Sequence, residues 1–383
     1  MKLEKTVHII FNTYYDFHTS RLTLGGVQTY LTNLIPVFRN LGFACRLYET
    51  GYPEYRECNV ADLRIINIPT EGISGTDRKV KAILNAVEKV YNDRTDILLF
   101  ATDCQIAPNQ ASRSIVIQHG ITWDVPVKQG ASVAESHLFI FRKAYSLWKK
   151  LKRLSYGKNV VCVDYNFVNW YRASVAHEAV PMTVIPNFTD LAPKFPKSSD
   201  KVKIIFARRL ETYRGTRLFS KVMGRILAEY ENVELVVAGK GPDEAYMREH
   251  LESFGERVRF VSYQSGESLQ VHSDMHIAVV PTIGSEGTSL SLLEAMSAQC
   301  AVVCTNVGGM TNIVLDGYNG LMVSPREDML YKAIKRLVED EKLRNQIAQN
   351  GYETVASAFS LEKWQARWAE VISGIAAGEV NKQ

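Results

Sequence analysis

Pro281-Thr-Ile-Gly-Ser-Glu286-Gly287-Thr288-Ser289-Leu290-Ser-Leu-Leu-Glu294-Ala-Met-Ser-Ala298 runs directly into Gln299-Cys-Ala-Val-Val-Cys304 and then Thr305-Asn-Val-Gly308-Gly309. Leu290, Leu293, Ala295 and Met296 fall at helix-like spacing. The run after them is apolar and strand-like, and the glycine pair marks a turn. Glu286 falls in the loop before the helix and Glu294 within it, with seven residues between them. Carboxylates at those points accept hydrogen bonds from hydroxyl-rich ligands. The amides from Gly287 to Ser289, with Leu290 beside them, face an anion. A nucleotide sugar has hydroxyls at both ends and a diphosphate between them, and it suits both features.

Outward from this stretch, strand-like and helical runs alternate almost throughout, the pattern of parallel α/β domains. The first half predicts strands at Val7–Phe11, Ala44–Glu49, Arg64–Ile68, Asp96–Ala101, Ser114–Gln118, Asn159–Val163 and Met182–Ile185, with helices at Val27–Leu41, Asp77–Tyr91 and Asn166–Ala173. A second series has strands at Val202–Ala207, Val233–Ala238, Val258–Ser262, Ile277–Val280 and Ala301–Cys304. Its helices are expected at Gly215–Tyr230, Asp243–Phe254, Ser289–Ala298 and Met329–Ala348. Prolines and polar residues from Asn187 to Asp200 read as an interdomain linker. The expectation is two doubly wound, Rossmann-like domains, 1–187 and 188–359, facing a central cleft.

Composition narrows the function. The chain has 383 residues, enough for two cores. A net charge of +4 does not by itself call for nucleic acid, and none is expected as a partner. The six cysteines lack paired Cys-x-x-Cys spacing, which argues against zinc and for a reducing, cytoplasmic setting. Cys300 and Cys304 share one face of a strand and read as core. No apolar run approaches the roughly 20 residues that span a bilayer.

Several short constellations could carry chemistry. Arg208-Arg209-Leu210 and Arg214-Gly215 follow the first strand of the second series, where α/β folds bind ligands. Guanidinium groups there suit a bidentate diphosphate clamp, although a solvated basic loop is the commoner use of such clusters. Gly239-Lys-Gly241-Pro ends the next strand, and Gly25-Gly26 opens a helix; both permit close backbone approach, and both also serve as plain turns. Gln118-His119-Gly120 ends a strand, with Asp124 shortly after it as a candidate for acceptor binding. A lone histidine at a strand end is more often structural. Ile140–Lys158 interleaves seven basic residues with aromatics and leucines, as in a helix lying on an anionic membrane surface, although a solvated helix has the same composition. No metal-ligating or Walker-type spacing stands out.

The Glu286–Glu294 segment resembles the glutamate–seven–glutamate signature of the retaining GT-B glycosyltransferases, in particular glycosyltransferase family 4. The usual Glu-Gly-Phe-Gly is here Glu286-Gly287-Thr288-Ser289. The resemblance covers nearly the whole chain and is most specific from Phe206 to Val323. It implies that Glu286 and the loop amides hold the donor sugar and that Glu294 holds the ribose. Arg209 and Arg214 occupy the family's two cationic positions and would neutralise the leaving diphosphate, with arginine at 214 in place of lysine. It also places Gly239 and Gly241 by the nucleotide, Gly25 and Gly26 at a donor-binding loop, and His119 near the anomeric carbon. A C-terminal helix within 360–383 would pack back on the first domain. The implied activity is metal-independent, retaining transfer of a sugar from a nucleotide diphosphate to a hydroxyl acceptor, without a cofactor. The acceptor would be a saccharide or lipid-linked saccharide in cell-surface polysaccharide or glycolipid assembly. The setting would be the cytoplasm or the inner face of the plasma membrane. The alternatives are a nucleotide-sugar epimerase of the same architecture and a non-catalytic sugar-nucleotide-binding subunit.

Overall fold

The computed structural model describes residues 5–23, 25–121, 133–174, 180–193, 197, 200–264, 266–284 and 286–378. The chain divides between Ile185 and Pro186 into two compact units, with the residues from Trp364 onward returning to the first.

The first unit contains β1 (Lys5–Ile10), the short hairpin β2 (Tyr15–Asp16) and β3 (Arg21–Leu22), α1 (Gly26–Asn40), β4 (Phe43–Glu49), β5 (Arg56–Val60) and β6 (Leu63–Asn67). It continues with α2 (Thr76–Val87), β7 (Ile97–Phe100), β8 (Ser114–Gln118), α3 (Val133–Leu154), β9 (Asn159–Cys162), α4 (Tyr165–Ser174) and β10 (Met182–Val184). Eight strands form one sheet in the order β10-β9-β8-β7-β1-β4-β6-β5. Its ladders are parallel except for the antiparallel edge strand β5 on β6.

The second unit runs β11 (Val202–Ala207), α5 (Thr216–Glu229), β12 (Val233–Ala238), α6 (Glu244–Leu251), β13 (Val258–Val261), α7 (Ser268–His272), β14 (Ile277–Val280) and α8 (Leu290–Ser297). It ends with β15 (Ala301–Thr305), β16 (Leu321–Val323), α9 (Glu327–Glu339), α10 (Glu341–Ala358) and the start of α11 (Leu361–Ala377). Its sheet order is β13-β12-β11-β14-β15-β16, all parallel. Strand order reverses between β11 and β14, the point at which doubly wound sheets bind ligands.

Continuous apolar strands are what a sheet covered on both faces requires. Alternate residues feed two cores. Ile204, Phe206, Leu235, Val237, Ile277 and Val279 pack with Phe219, Met223 and Ile334 on one face. Ile205, Ala207, Val236, Ala238, Ala278 and Val280 pack with Leu292, Leu293 and Met296 on the other. Cys300 and Cys304 are fully buried in the second cluster, as their spacing suggested.

Some elements differ from the sequence expectation. Met329–Ala348 is two helices, because Asp340 leaves helical geometry and its side chain caps Leu343 N–H at 2.8 Å. The helix expected to reach Phe254 ends at Leu251 and tightens into a 3-10 turn. The segment read as a linker is pinned at its start: Thr189 N–H donates to Phe359 O and Ala192 N–H to Ser297 Oγ. Buried backbone needs partners whatever its composition.

Candidate active site

In the second unit, the exits of β11 and β14 bring together the loops that carry Arg208 to Gly215 and Pro281 to Ser289. Gly215 makes the approach possible. Its φ is +83°, and a Cβ there would lie 1.8 Å from Pro281 O. Ile283 N–H then donates to Tyr213 O at 2.9 Å, stitching the two loops together. Asp243 fixes the start of α5 from below, accepting from the hydroxyls of Thr212, at 2.8 Å, and Thr216.

Glu286 is buried at the centre of this junction. Its Oε2 accepts from Arg208 Nη2 at 2.6 Å, from Thr282 Oγ1 at 2.8 Å and from Arg214 Nη1. Burial pushes the carboxyl up, but the charges of Arg208 and then Arg214 outweigh it and hold Glu286 below the ordinary carboxylate range. Gly309 N–H supports the loop from behind by donating to Glu286 O at 3.1 Å. A Cβ at Gly308 would sit 2.1 Å from the same oxygen, so the glycine pair is a seat for the glutamate loop as well as a turn.

The remaining sequence-predicted residues fall around this centre. Ser289 caps α8 by position, and Glu294 lies half-buried in that helix. Burial raises the Glu294 carboxyl, against the lowering effect of Ser268. Thr288 and Ser289 are buried, and the Thr288 carbonyl accepts from Asn187 Nδ2 at 2.6 Å. Gly287 lies against Gly309. Arg209 is on the surface, with its side chain 60% exposed and 3.4 Å from Glu211. Gly239 and Gly241 press on the β11 exit: a Cβ would lie 2.1 Å from Arg208 O or 2.3 Å from Leu210 O. That packing gives both glycines a structural duty.

In the first unit, Gly25 and Gly26 open α1. His119 directly follows β8, and its Nε2 is 2.9 Å from Ala101 O. A carbonyl only accepts, so Nε2 carries the proton and Nδ1 keeps its lone pair. Burial pushes the imidazole down to about 4, which makes it neutral at pH 7. Its ring stands edge-on to Tyr30 at 5.1 Å, and Tyr30 OH accepts from Trp368 Nε1 at 2.9 Å. Trp364 also packs on Tyr30, at 4.9 Å. Helix α11 thereby braces the face behind His119. Asp124 lies outside the described residues.

The sequence placed Arg208 in a basic cluster without singling it out, and gave no site role to Thr282, Asn187 or Asp243. Parity was the available signal for Arg208, since it continues the inward row of Val202, Ile204 and Phe206.

Comparison with known proteins shows what the chain is similar to. Residues 187–354 match the model for glycosyl transferases group 1. That match lies within the second unit. A phosphatidyl-myo-inositol mannosyltransferase of Mycobacterium leprae is 24% identical over 86% of this chain and 88% of its own length. An uncharacterized glycosyltransferase of Methanocaldococcus jannaschii is 30% identical, with the match spanning only 42% of each protein. A solved Anabaena structure, HepE in complex with UDP-glucose, superposes at a TM-score of 0.69 with 13% identity, covering 97% of this chain and 99% of that one. The two Rossmann-like units are those of the GT-B architecture.

Proposed function

We propose that the protein is a retaining, metal-independent glycosyltransferase. It would move a sugar from a nucleotide diphosphate to a hydroxyl acceptor in glycolipid or cell-surface polysaccharide assembly. The observation that carries this reading is the junction of Glu286, Arg208 and Arg214 at the point where strand order reverses. Glu286 and the loop amides from Gly287 to Leu290 receive the sugar, and Glu294 receives the ribose. Arg214 and the exposed Arg209 take the diphosphate. They supply fixed positive charge where the leaving group develops negative charge. The bond from the anomeric carbon to the leaving phosphate oxygen breaks as the bond to the acceptor oxygen forms on the same face. The acceptor proton passes to that phosphate. His119, neutral and with Nδ1 as an acceptor, suits a sugar hydroxyl. The UDP-glucose held by the Anabaena structure makes a uridine nucleotide the first donor to test.

Nucleoside diphosphates should raise the melting temperature and nucleosides should not. A ligand at 100 times its Kd contributes about 2.7 kcal/mol of stability. A panel of UDP, GDP and ADP read by thermal unfolding checks this, and equal shifts with uridine and UDP would remove the diphosphate from the site.

The acceptor side of the proposal includes a membrane. On α3, Leu138, Phe141, Tyr145 and Trp148 recur at helical spacing and are all exposed, Phe141 to 73% and Trp148 to 58%. Arg142, Lys149 and Lys152 are exposed beside them, and Lys152 Nζ lies 5.6 Å from the Trp148 ring. Lys149, at 3.7 Å, and Arg153 both also pair with Asp77. A stripe of aromatic anchors flanked by cations, with no acid from residue 137 to 158, matches an anionic lipid surface. Among the described residues no helix is long and apolar enough to cross a membrane.

A further inference from the structure

The exit of β11 carries two adjacent arginines, and the fold sends them to opposite environments. Arg209 is at the surface. Arg208 is 8% exposed and fixed on both sides of its backbone: its N–H donates to Ala238 O at 2.9 Å, and Gly239 packs against its carbonyl. Its guanidinium donates from Nη2 to Glu286 Oε2 at 2.6 Å and from Nη1 to Thr282 Oγ1 at 2.5 Å. The Thr282 hydroxyl in turn donates a hydrogen bond to the same Oε2. Among the described residues every hydrogen bond to this carboxylate falls on Oε2, and Oε1 takes none. Nε of Arg208 is buried without an acceptor, so packing alone does not account for a guanidinium here.

We propose that Arg208 is a positioning residue: it anchors Glu286 through one oxygen, so that Arg214 can leave that carboxylate for a ligand diphosphate. This rests on the reading of Glu286 and Arg214 as donor contacts. The two arginines share one partner but differ in reach. The Arg208 side chain is 6% exposed, too enclosed to meet a ligand, whereas that of Arg214 is 23% exposed. The cluster holds two cations and one anion. If Arg214 turns outward, a neutral Arg208–Glu286 pair stays behind. Without Arg208, the same movement would strand a buried carboxylate, which is strongly unfavourable. Arg214 would then be trapped on Glu286. Oε1, left open by this arrangement, remains the acceptor for a sugar hydroxyl.

The groups facing the carboxylate come from several elements. Arg208 follows β11, Arg214 and Tyr213 precede α5, and Thr282 follows β14. The Arg214 guanidinium lies 4.9 Å from the Tyr213 ring. Tyr263, after β13, feels the charges of both Glu294, on α8, and Arg208. Of the charges acting on Glu286, that of Arg208 is the larger and lowers its pKa. Its removal should move Glu286 upward, and the acid limb of UDP-glucose binding, which uses the carboxylate as a sugar-hydroxyl acceptor, should follow.

The test is calorimetric titration of UDP and UDP-glucose into the full chain between pH 5 and 8, using Arg208→Gln, Arg208→Lys and Glu286→Gln. Arg208→Gln should weaken UDP binding about tenfold or more, the loss of the charge-assisted contact that a trapped Arg214 no longer makes. Its acid midpoint for UDP-glucose should rise, and Arg208→Lys should return that midpoint towards wild type. In a Glu286→Gln background, Arg208→Gln should have little further effect. Arg208→Gln with unchanged affinity and an unmoved acid midpoint overturns the proposal. If Arg208→Gln does not fold, the double variant with Glu286→Gln reads the same claim: it strands no buried carboxylate, and a further loss of UDP affinity of about tenfold relative to Glu286→Gln alone overturns the proposal. Wild-type UDP-glucose affinity in Glu286→Gln would instead overturn the underlying site assignment, and is thereby distinguished from failure of the Arg208 proposal.

Discussion

Glu286→Ala should lower the stability of the protein by about 3–5 kcal/mol, because it leaves Arg208 buried and uncompensated. Both side chains of this pair are nearly inaccessible, 6% and 8% exposed, so water cannot take over the missing partner. Glu286→Gln should cost less, since the amide oxygen still accepts from Arg208 or Thr282. The pH dependence has a definite sign. Arg208 and Arg214 hold the folded carboxyl below its ordinary range. The stabilisation is therefore complete above the pKa of the unfolded chain and is lost as pH falls through the lower, folded value. Urea unfolding of wild type and both variants at pH 7 and pH 4 checks this. The gap between wild type and Glu286→Ala should narrow in acid. A loss below about 1 kcal/mol at pH 7, the range of a solvated surface pair, would mean that the cluster is not buried as described.

Replacing Arg142, Lys149 and Lys152 together with glutamine should weaken binding to anionic vesicles roughly hundredfold or more at low salt. Each basic residue near such a surface contributes about 1 kcal/mol. These three flank the apolar stripe of α3 and are exposed, so their removal leaves the helix packed through Leu147, Leu151 and Leu154. Phe141→Ala with Trp148→Ala should also weaken binding, but with little dependence on salt, because those side chains act through buried apolar area. Cosedimentation with vesicles containing phosphatidylserine, against neutral phosphatidylcholine, separates the two contributions. Equal wild-type binding to both lipids at low ionic strength would contradict the electrostatic part. Absence of binding to either would make the stripe an ordinary exposed helix face.

Much of the fold was legible because its strands are short apolar runs with sharp polar or glycine boundaries. Ser114–Gln118, Val233–Ala238 and Ile277–Val280 coincide with the observed strands residue by residue. β5 was not visible, since an antiparallel edge strand with Arg56, Glu57 and Asn59 has no continuous apolar signal. β16 is only three residues long. The apolar period runs on across the break between α9 and α10, so only the cap at Asp340 distinguishes two helices from one. The site was legible in the glutamates, since Glu286 and Glu294 fall in the loop and helix that the pattern assigned them. The deep layer around them was not. Arg208, Thr282 and Asn187 are distant in sequence from one another, and the chain brings each to the Glu286 loop through strand order that periodicity does not encode. Asn187 lay in a polar, proline-containing stretch, where the commonest use is a linker.

The most direct test of sugar transfer is to incubate the purified chain with UDP-glucose of known anomeric configuration, a hydroxyl acceptor and EDTA, and to read the product linkage by proton NMR. The expected result is a new glycosidic bond with the donor's configuration, formed at an undiminished rate in the chelator. An inverted linkage would contradict same-face transfer. Hydrolysis or epimerisation without a transferred product would contradict the transferase itself, and activity abolished by EDTA and restored by a divalent ion would contradict the role given to Arg209 and Arg214.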